Sequence, residues 1–297
     1  MINHPPLTSY DFDWVSAFSD KAFGGNGCVV VYGALELNLE TRLNIVKETS
    51  LSECTFVEPS NVADFQFRIY LPSREIPFAG HPTLAGVASL MHRELMNGTK
   101  ITIETQAGIV PLEILEDGVI SMTQRAPQFG MHVPVKLVAD AVSLSSNDII
   151  ETPQVVSTGL PFTVAVVRDY ETLLRAKLDV AMLNRMADEI DAPDGHIIEP
   201  FLVTLEDSSF NGDTFSRILL APPNPAQDPF TGSATGAMAS YLWSKSLIDQ
   251  PKFVAQQGHD MGRPGEATVE VLGSRSDITG VKLAGKAYVT MSGKIHL

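Results

Sequence analysis

The sequence predicts an α+β protein of two related halves, each a mostly antiparallel sheet around a central helix. Three observations carry this expectation. The segment Pro77-Phe78-Ala79-Gly80-His81-Pro82-Thr83-Leu84-Ala85 returns without gaps, 152 residues later, as Pro229-Phe230-Thr231-Gly232-Ser233-Ala234-Thr235-Gly236-Ala237. Pro, Phe, Gly, Thr and Ala coincide, and a period near half the chain marks a duplicated unit, because solenoid repeats are far shorter. The helices opened by the two copies are rich in Gly, Ala and Ser with no strongly polar face, which is the pattern of a helix buried all round. Strand patterns flank both helices.

In the first half the order reads β-β-α-β-β-α-β-β-β. Tyr10 to Phe18 and Cys28 to Tyr32 are strands joined by the turn-rich Phe23-Gly24-Gly25-Asn26-Gly27. Leu39 to Glu48 has helical spacing after a cap at Asn38. Cys54 to Glu58 and Asp64 to Tyr70 are strands, the second alternating Phe65, Phe67 and Ile69 with polar residues. Thr83 to His92 is the first apolar helix, and strands follow at Lys100 to Thr105, Ile109 to Leu115 and Val119 to Thr123. Arg125 to Gly130 reads as a linker, so the halves are predicted as 1–124 and 125–297, with the last strand left open to return to the first half. Beyond it, helices are expected at Val135 to Ser143 and Val180 to Ile190. Strands are expected at Gln154 to Thr158, Phe162 to Val167, His196 to Leu205 and Thr214 to Leu220. The second apolar helix is placed at Ala234 to Ser244. Phe253 to Gln257, Ala267 to Leu272, Val281 to Ala284 and Tyr288 to Met291 complete the strands.

Composition narrows the function. The 297 residues suit two domains of about 120–150 residues. Lys plus Arg is 21 against 35 Asp plus Glu, a net charge of −14. Nucleic-acid binding needs a clustered basic surface and is set aside. No membrane-spanning run and no secretory pattern after Met1 is visible, so a cytoplasmic protein is expected. The two cysteines, Cys28 and Cys54, form neither a disulfide framework nor a metal-ligand spacing. No HExxH, CxxC or acidic calcium loop is present, so the reading carries no metal and no cofactor. Gly24-Gly25-Asn26-Gly27 lacks the full GxGxxG spacing and precedes a strand, which removes a nucleotide reading.

The chemistry concentrates at the two helix starts, where free backbone N–H groups and a positive dipole end suit an anionic small molecule. Glu53, on the face of an extended segment shared with Leu51, Thr55 and Val57, is an acid among apolar neighbours, and desolvation would raise its pKa. His81 follows a glycine at a helix start, where the dipole favours the neutral ring. Asp228 and Ser233 hold the matching place in the second half. N-capping explains them as readily as catalysis. Gly80 and Gly232 let backbone N–H groups approach a carboxylate closely, or serve only the turn. Ser52 either orients Glu53 or touches substrate.

Leu51-Ser52-Glu53-Cys54-Thr55-Phe56-Val57, Pro77 to Pro82, Asp228 to Ala234 and Gln257-Gly258-His259-Asp260-Met261-Gly262-Arg263-Pro264 together resemble the PhzF (phenazine-biosynthesis-like) family, in order and across nearly the whole chain. The resemblance implies the fold of diaminopimelate epimerase, two pseudo-symmetric halves of curled sheet with the site in the cleft between them, and a homodimer. It implies a cofactor-independent biosynthetic isomerase of a small carboxylic acid, with Glu53 as general acid/base and His81, Asp228 and Ser233 beside it. Asn26 falls where the family has Gly-Asn-Pro. Gly27 replaces the proline, so a looser turn is expected and no ligand role is given to Asn26. An epimerase or racemase is the first alternative. Thiol-dependent relatives place Cys immediately before the glycine of each helix-start motif, and here Ala79 and Thr231 stand there. A dehydratase and a non-catalytic small-molecule-binding protein complete the alternatives.

Overall fold

The computed structural model describes residues 8–192, 197–205, 211–222 and 224–297. Met1 to Pro6 and the predicted strand start His196 lie outside them. The chain divides into two compact units, one of residues 1–120 and 286–297, the other of residues 121–285.

In the first unit, β1 (Ser9–Ala17) and β2 (Asn26–Tyr32) precede α1 (Leu39–Thr49). Asn38 caps α1 by accepting a hydrogen bond from the Thr41 amide, as its position predicts. Next come β3 (Cys54–Glu58), β4 (Phe65–Tyr70), the two-residue β5 (Glu75–Ile76), α2 (Gly80–His92), β6 (Lys100–Thr105) and β7 (Gly108–Ile114). The final strand of the chain, Ala287–His296, pairs antiparallel with β1. From that strand the sheet runs β1, β2, β3, β4, β6, β7. Only β2–β3 and β4–β6 are parallel, and each of these pairs is joined through a helix. Every residue of α2 from Gly80 to Leu90 is buried. The helix contacts β1, β2, β3, β4 and the final strand, which wrap it. On the other face of the sheet, α1 closes a second core of Val29, Val31, Ile45, Val46, Cys54, Phe56 and Tyr70.

The second unit repeats this plan. It contains β8 (Ile120–Gln124, beginning at the unit boundary), β9 (Gln128–His132), α3 (Val135–Ala141), β10 (Gln154–Ser157), β11 (Pro161–Val166), α4 (Tyr170–Arg175), α5 (Val180–Glu189), β12 (Ile197–Thr204), β13 (Thr214–Ile218), α6 (Gly232–Ser244), β14 (Lys252–Gln257), β15 (Gly265–Ser274) and β16 (Asp277–Gly285). Its sheet runs β9, β10, β11, β12, β13, β14, β15, β16, β8, and the pairs β11–β12 and β13–β14 are parallel, each joined through helices. Strands β10, β11, β12, β15 and β16 contact α6. Gly236 in α6 permits a close approach, since a Cβ there would fall 1.8 Å from Gln124 Oε1. Helices α3, α4 and α5 cover the other face around Leu137, Val138, Leu173, Leu183 and Met186.

The structure differs from the sequence reading at a few places. Gln128–His132, which overlaps the end of the predicted linker Arg125 to Gly130, is a strand paired with β10. All five residues are exposed, so no apolar alternation marks it. The two apolar helices begin three and two residues earlier than predicted, at the glycines. The extended segment read from Leu51 is interrupted by a bend at Leu51 and Ser52, and Glu53 directly precedes β3, which starts at Cys54 as expected.

Candidate active site

In the first unit three segments converge on one end of the parallel pair β2–β3. Asn26 opens β2, Glu53 immediately precedes β3, and α2 begins at Gly80. The α1 helix ends on Ser50 in the left-handed region, and Thr49 Oγ1 accepts a hydrogen bond from the Leu51 amide, which turns the chain back toward β3. Thr55 Oγ1 donates to the Pro82 carbonyl at 3.0 Å, tying β3 to the first turn of α2. These constraints bring Glu53 Oε2 within 3.2 Å of His81 Nε2, with side chains only 15% and 5% exposed. Burial raises the Glu53 carboxyl to about 7, against the opposing effect of a hydrogen bond from Ser52. On the other side of the ring, Asn26 Nδ2 lies 3.3 Å from His81 Nδ1. Asn26 is buried and was passed over in the sequence reading because Gly27 replaces a proline. The turn is not loose: Gly27 pairs with Ser16 in the β1–β2 ladder. Gly25 adopts φ +48°, where a Cβ would sit 2.0 Å from the Ala17 carbonyl oxygen. The cap residue of α2, Ala79, offers no side-chain bond to the first amides of the helix.

In the second unit, Asp228 and Thr231 are locked together. Thr231 Oγ1 donates to Asp228 Oδ2 at 2.6 Å. Gln257 bridges the pair, its Nε2 donating to the Asp228 carbonyl at 2.7 Å and its Oε1 accepting from the Thr231 amide at 3.0 Å. Thr231 is the cap residue of α6, yet its side chain makes no capping bond. Asp228 holds Thr231, and Ser233 occupies the second position of the helix. Gln124 Nε2 donates to the Gly232 carbonyl at 2.9 Å, and Gln124 Oε1 accepts from Thr158 Oγ1 at 2.6 Å, which fixes the first turn. Thr231, Gln257, Gln124 and Thr158 were not read as site residues. The Asp228–Thr231 spacing of three is a signal for Thr231, through a local side-chain bond, and the quoted Gln257 to Pro264 motif is one for Gln257.

Neither cysteine can supply a thiolate base. Cys28 and Cys54 are free and fully buried. Burial pushes the Cys28 thiol well up and the Cys54 thiol to about 12. Cys54 Sγ lies 3.7 Å from Thr49 Oγ1. Among the described residues no group of three or more His, Cys, Asp and Glu side chains is placed to hold a metal ion, and no helix is long and apolar enough to cross a membrane. A separate pocket of about 400 Å³ lies at the opposite ends of β2 and β3, beside Tyr32, Glu58 and Phe65. Its buried acid Glu58 is already paired with Arg42 at 2.6 Å.

The family model described as PhzC-PhzF, phenazine biosynthesis-like protein, matches residues 15–293. The chain belongs to this family. As a PhzF-family protein it is similar to the trans-2,3-dihydro-3-hydroxyanthranilate isomerase of Pseudomonas aeruginosa, 28% identical over 95% of this chain and 98% of that protein. The crystal structure of the Bacillus anthracis PhzF-family phenazine biosynthesis protein matches with a TM-score of 0.85 and 25% identity, covering 98% of this chain and 100% of that one. A hydroxyproline epimerase from Agrobacterium vitis shares the fold at a TM-score of 0.66 and 14% identity, over 99% of this chain and 93% of that one. The expected epimerase-like fold class is thus met, with its curled sheets and central helices. The protein is a PhzF-family enzyme of the isomerase or epimerase type acting on a small substrate.

Proposed function

We propose that the protein is a cofactor-independent isomerase that moves a proton on a small carboxylic acid, with Glu53 as the general acid/base. The observation that carries this reading is the Glu53 carboxyl, buried beside His81 at 3.2 Å and raised to about 7. A carboxylate with that pKa is half-ionised near neutral pH, where both the base and its conjugate acid are available. In the proposed step Glu53 takes a proton from a carbon next to a carbonyl or double bond. The electron pair left behind shifts the unsaturation, and the same carboxyl returns the proton at another carbon. One acid on one face suffices, so the absence of cysteine at Ala79 and Thr231 is no obstacle.

Asp228, Ser233 and His81 are read as the groups that hold the substrate and the charge it develops. The amides following Gly80 and Gly232 are read as the carboxylate anchor, and Ser52 as the residue that orients Glu53. The substrate is proposed to be a small anionic carboxylate, and the enzyme a homodimer. Incubation in deuterated water with a panel of cyclic unsaturated and α-substituted carboxylic acids, including trans-2,3-dihydro-3-hydroxyanthranilate, tests the reading. Deuterium entering at carbon in at least one acid, and not with Glu53→Gln, supports it. Exchange that survives Glu53→Gln undiminished removes Glu53 from the role.

A further inference from the structure

We propose that Asn26 is a positioning residue that fixes the His81 ring as the tautomer protonated on Nε2, the nitrogen facing Glu53. The proposal deepens the reading above by giving the Glu53 carboxylate a defined donor. Asn26 Nδ2 is 3.3 Å from His81 Nδ1, and the two side chains are 2% and 5% exposed. An amide NH₂ can only donate, so Nδ1 must accept, and a neutral imidazole that accepts at Nδ1 carries its hydrogen on Nε2. Nε2 in turn lies 3.2 Å from Glu53 Oε2. Position two of α2 favours the neutral ring that this arrangement needs.

The placement of Asn26 does not depend on His81. Its backbone is set by the β1–β2 ladder, where it pairs with Ala17, and by the glycine-only turn at Gly25. The asparagine is therefore a fixed donor against which the ring must orient. Turning the amide over would present Oδ1 to Nδ1, move the ring proton to Nδ1, and aim the Nε2 lone pair at Glu53. A carboxylate would then face a lone pair, a repulsive contact at any pH where Glu53 is ionised. With Glu53 ionised, the sense Asn26 to His81 to Glu53 is the one that sets a donor against an acceptor at both ring nitrogens.

Long-range ¹H–¹⁵N spectra of the histidine rings, recorded at pH 8.5 on ¹⁵N-labelled protein, read the tautomer directly. Loss of one ring's signals in His81→Gln assigns them. Wild type is expected to show an unprotonated Nδ1 and a protonated Nε2. Asn26→Leu, which removes the donor at similar volume, should give a mixture of tautomers. Asn26→Asp, which puts an acceptor against Nδ1, should move the proton to Nδ1 and lower the rate of carbon deuteration by roughly tenfold or more. A wild-type ring protonated on Nδ1 overturns the proposal, as does an Asn26→Leu spectrum with the wild-type tautomer intact. Should Asn26→Asp fail to fold, the wild-type and leucine spectra still decide. The spectra report on the ring whether or not Glu53 proves to be the base, so the two readings fail separately.

Discussion

Replacing Glu53 by Gln should stabilise the protein, and only above about pH 5. The folded carboxyl sits at about 7 against an ordinary value of 4.5, a difference of about 2.5 units. A proton is therefore held more tightly in the folded state than in the unfolded one. Stability from this group is fully present below 4.5 and is lost as the pH rises through 7. At 1.36 kcal/mol per unit the loss by pH 8 is about 3 kcal/mol. Gln keeps the size of the side chain and cannot ionise, so it avoids that loss. The chain has two tryptophans, Trp14 in the first unit and Trp243 in the second. In a Trp243→Phe background, Trp14 fluorescence follows urea unfolding of the unit that contains Glu53. The expected result is near-equal stability of the Glu and Gln forms at pH 4.5, with the Gln form ahead by about 3 kcal/mol at pH 8. A difference independent of pH, or a Gln form less stable at pH 8, would refute the argument that burial raises this carboxyl.

The clamp at the far end of α2 predicts the opposite pH behaviour. Burial pushes the Asp13 carboxyl up, but hydrogen bonds from Arg93, Ser292 and Ser89 outweigh it and hold the group below its ordinary 3.8. Asp13→Asn should cost about 3–5 kcal/mol at pH 7, the stabilisation being present above 3.8 and lost as pH falls through the folded value. The Trp14 urea curve measures it. In α6, Gly236→Ala should destabilise by about 1–3 kcal/mol despite the better helix propensity of Ala, because the new Cβ displaces the Gln124 amide from its bonds to Gly232 and Thr158. The Trp243 curve in a Trp14→Phe background follows this, and adding Gln124→Ala should recover part of the loss. Neither Cys28 nor Cys54 should react with an aromatic disulfide reagent at pH 8 until urea unfolds the chain; fast reaction of the native protein would contradict their burial.

Much of the architecture was legible because it depends on local pattern. Cys54–Glu58 and Lys100–Thr105 are strands of the predicted extent, and both buried helices follow from runs without a polar face. Short elements escaped. Tyr170–Arg175 spans six residues, too few to develop helical period, although Asp169 accepting from the Thr172 amide is a capping pattern that could have marked it. Glu75–Ile76 is a strand only by pairing with β4. At the candidate site, the repeat pointed to both helix starts, and the family resemblance to Glu53. Asn26 stood out in the sequence, but its contact with His81 did not, because that partner lies 55 residues away and the placement comes from a strand ladder, which single-residue pattern does not encode. Gln257 was quoted as part of a motif, but its two-sided grip on Asp228 and Thr231 exists only once β14 lies beside α6.

The central claim is that Glu53 moves the proton. For the acid deuterated fastest by wild type, the rate of deuterium incorporation at carbon should be measured from pH 5 to 9 in wild type and Glu53→Gln. The account predicts a wild-type rate that rises with pH through an apparent pKa of about 7 and falls by at least about a hundredfold in the Gln form at every pH. A Gln form that retains the wild-type rate and profile would contradict it.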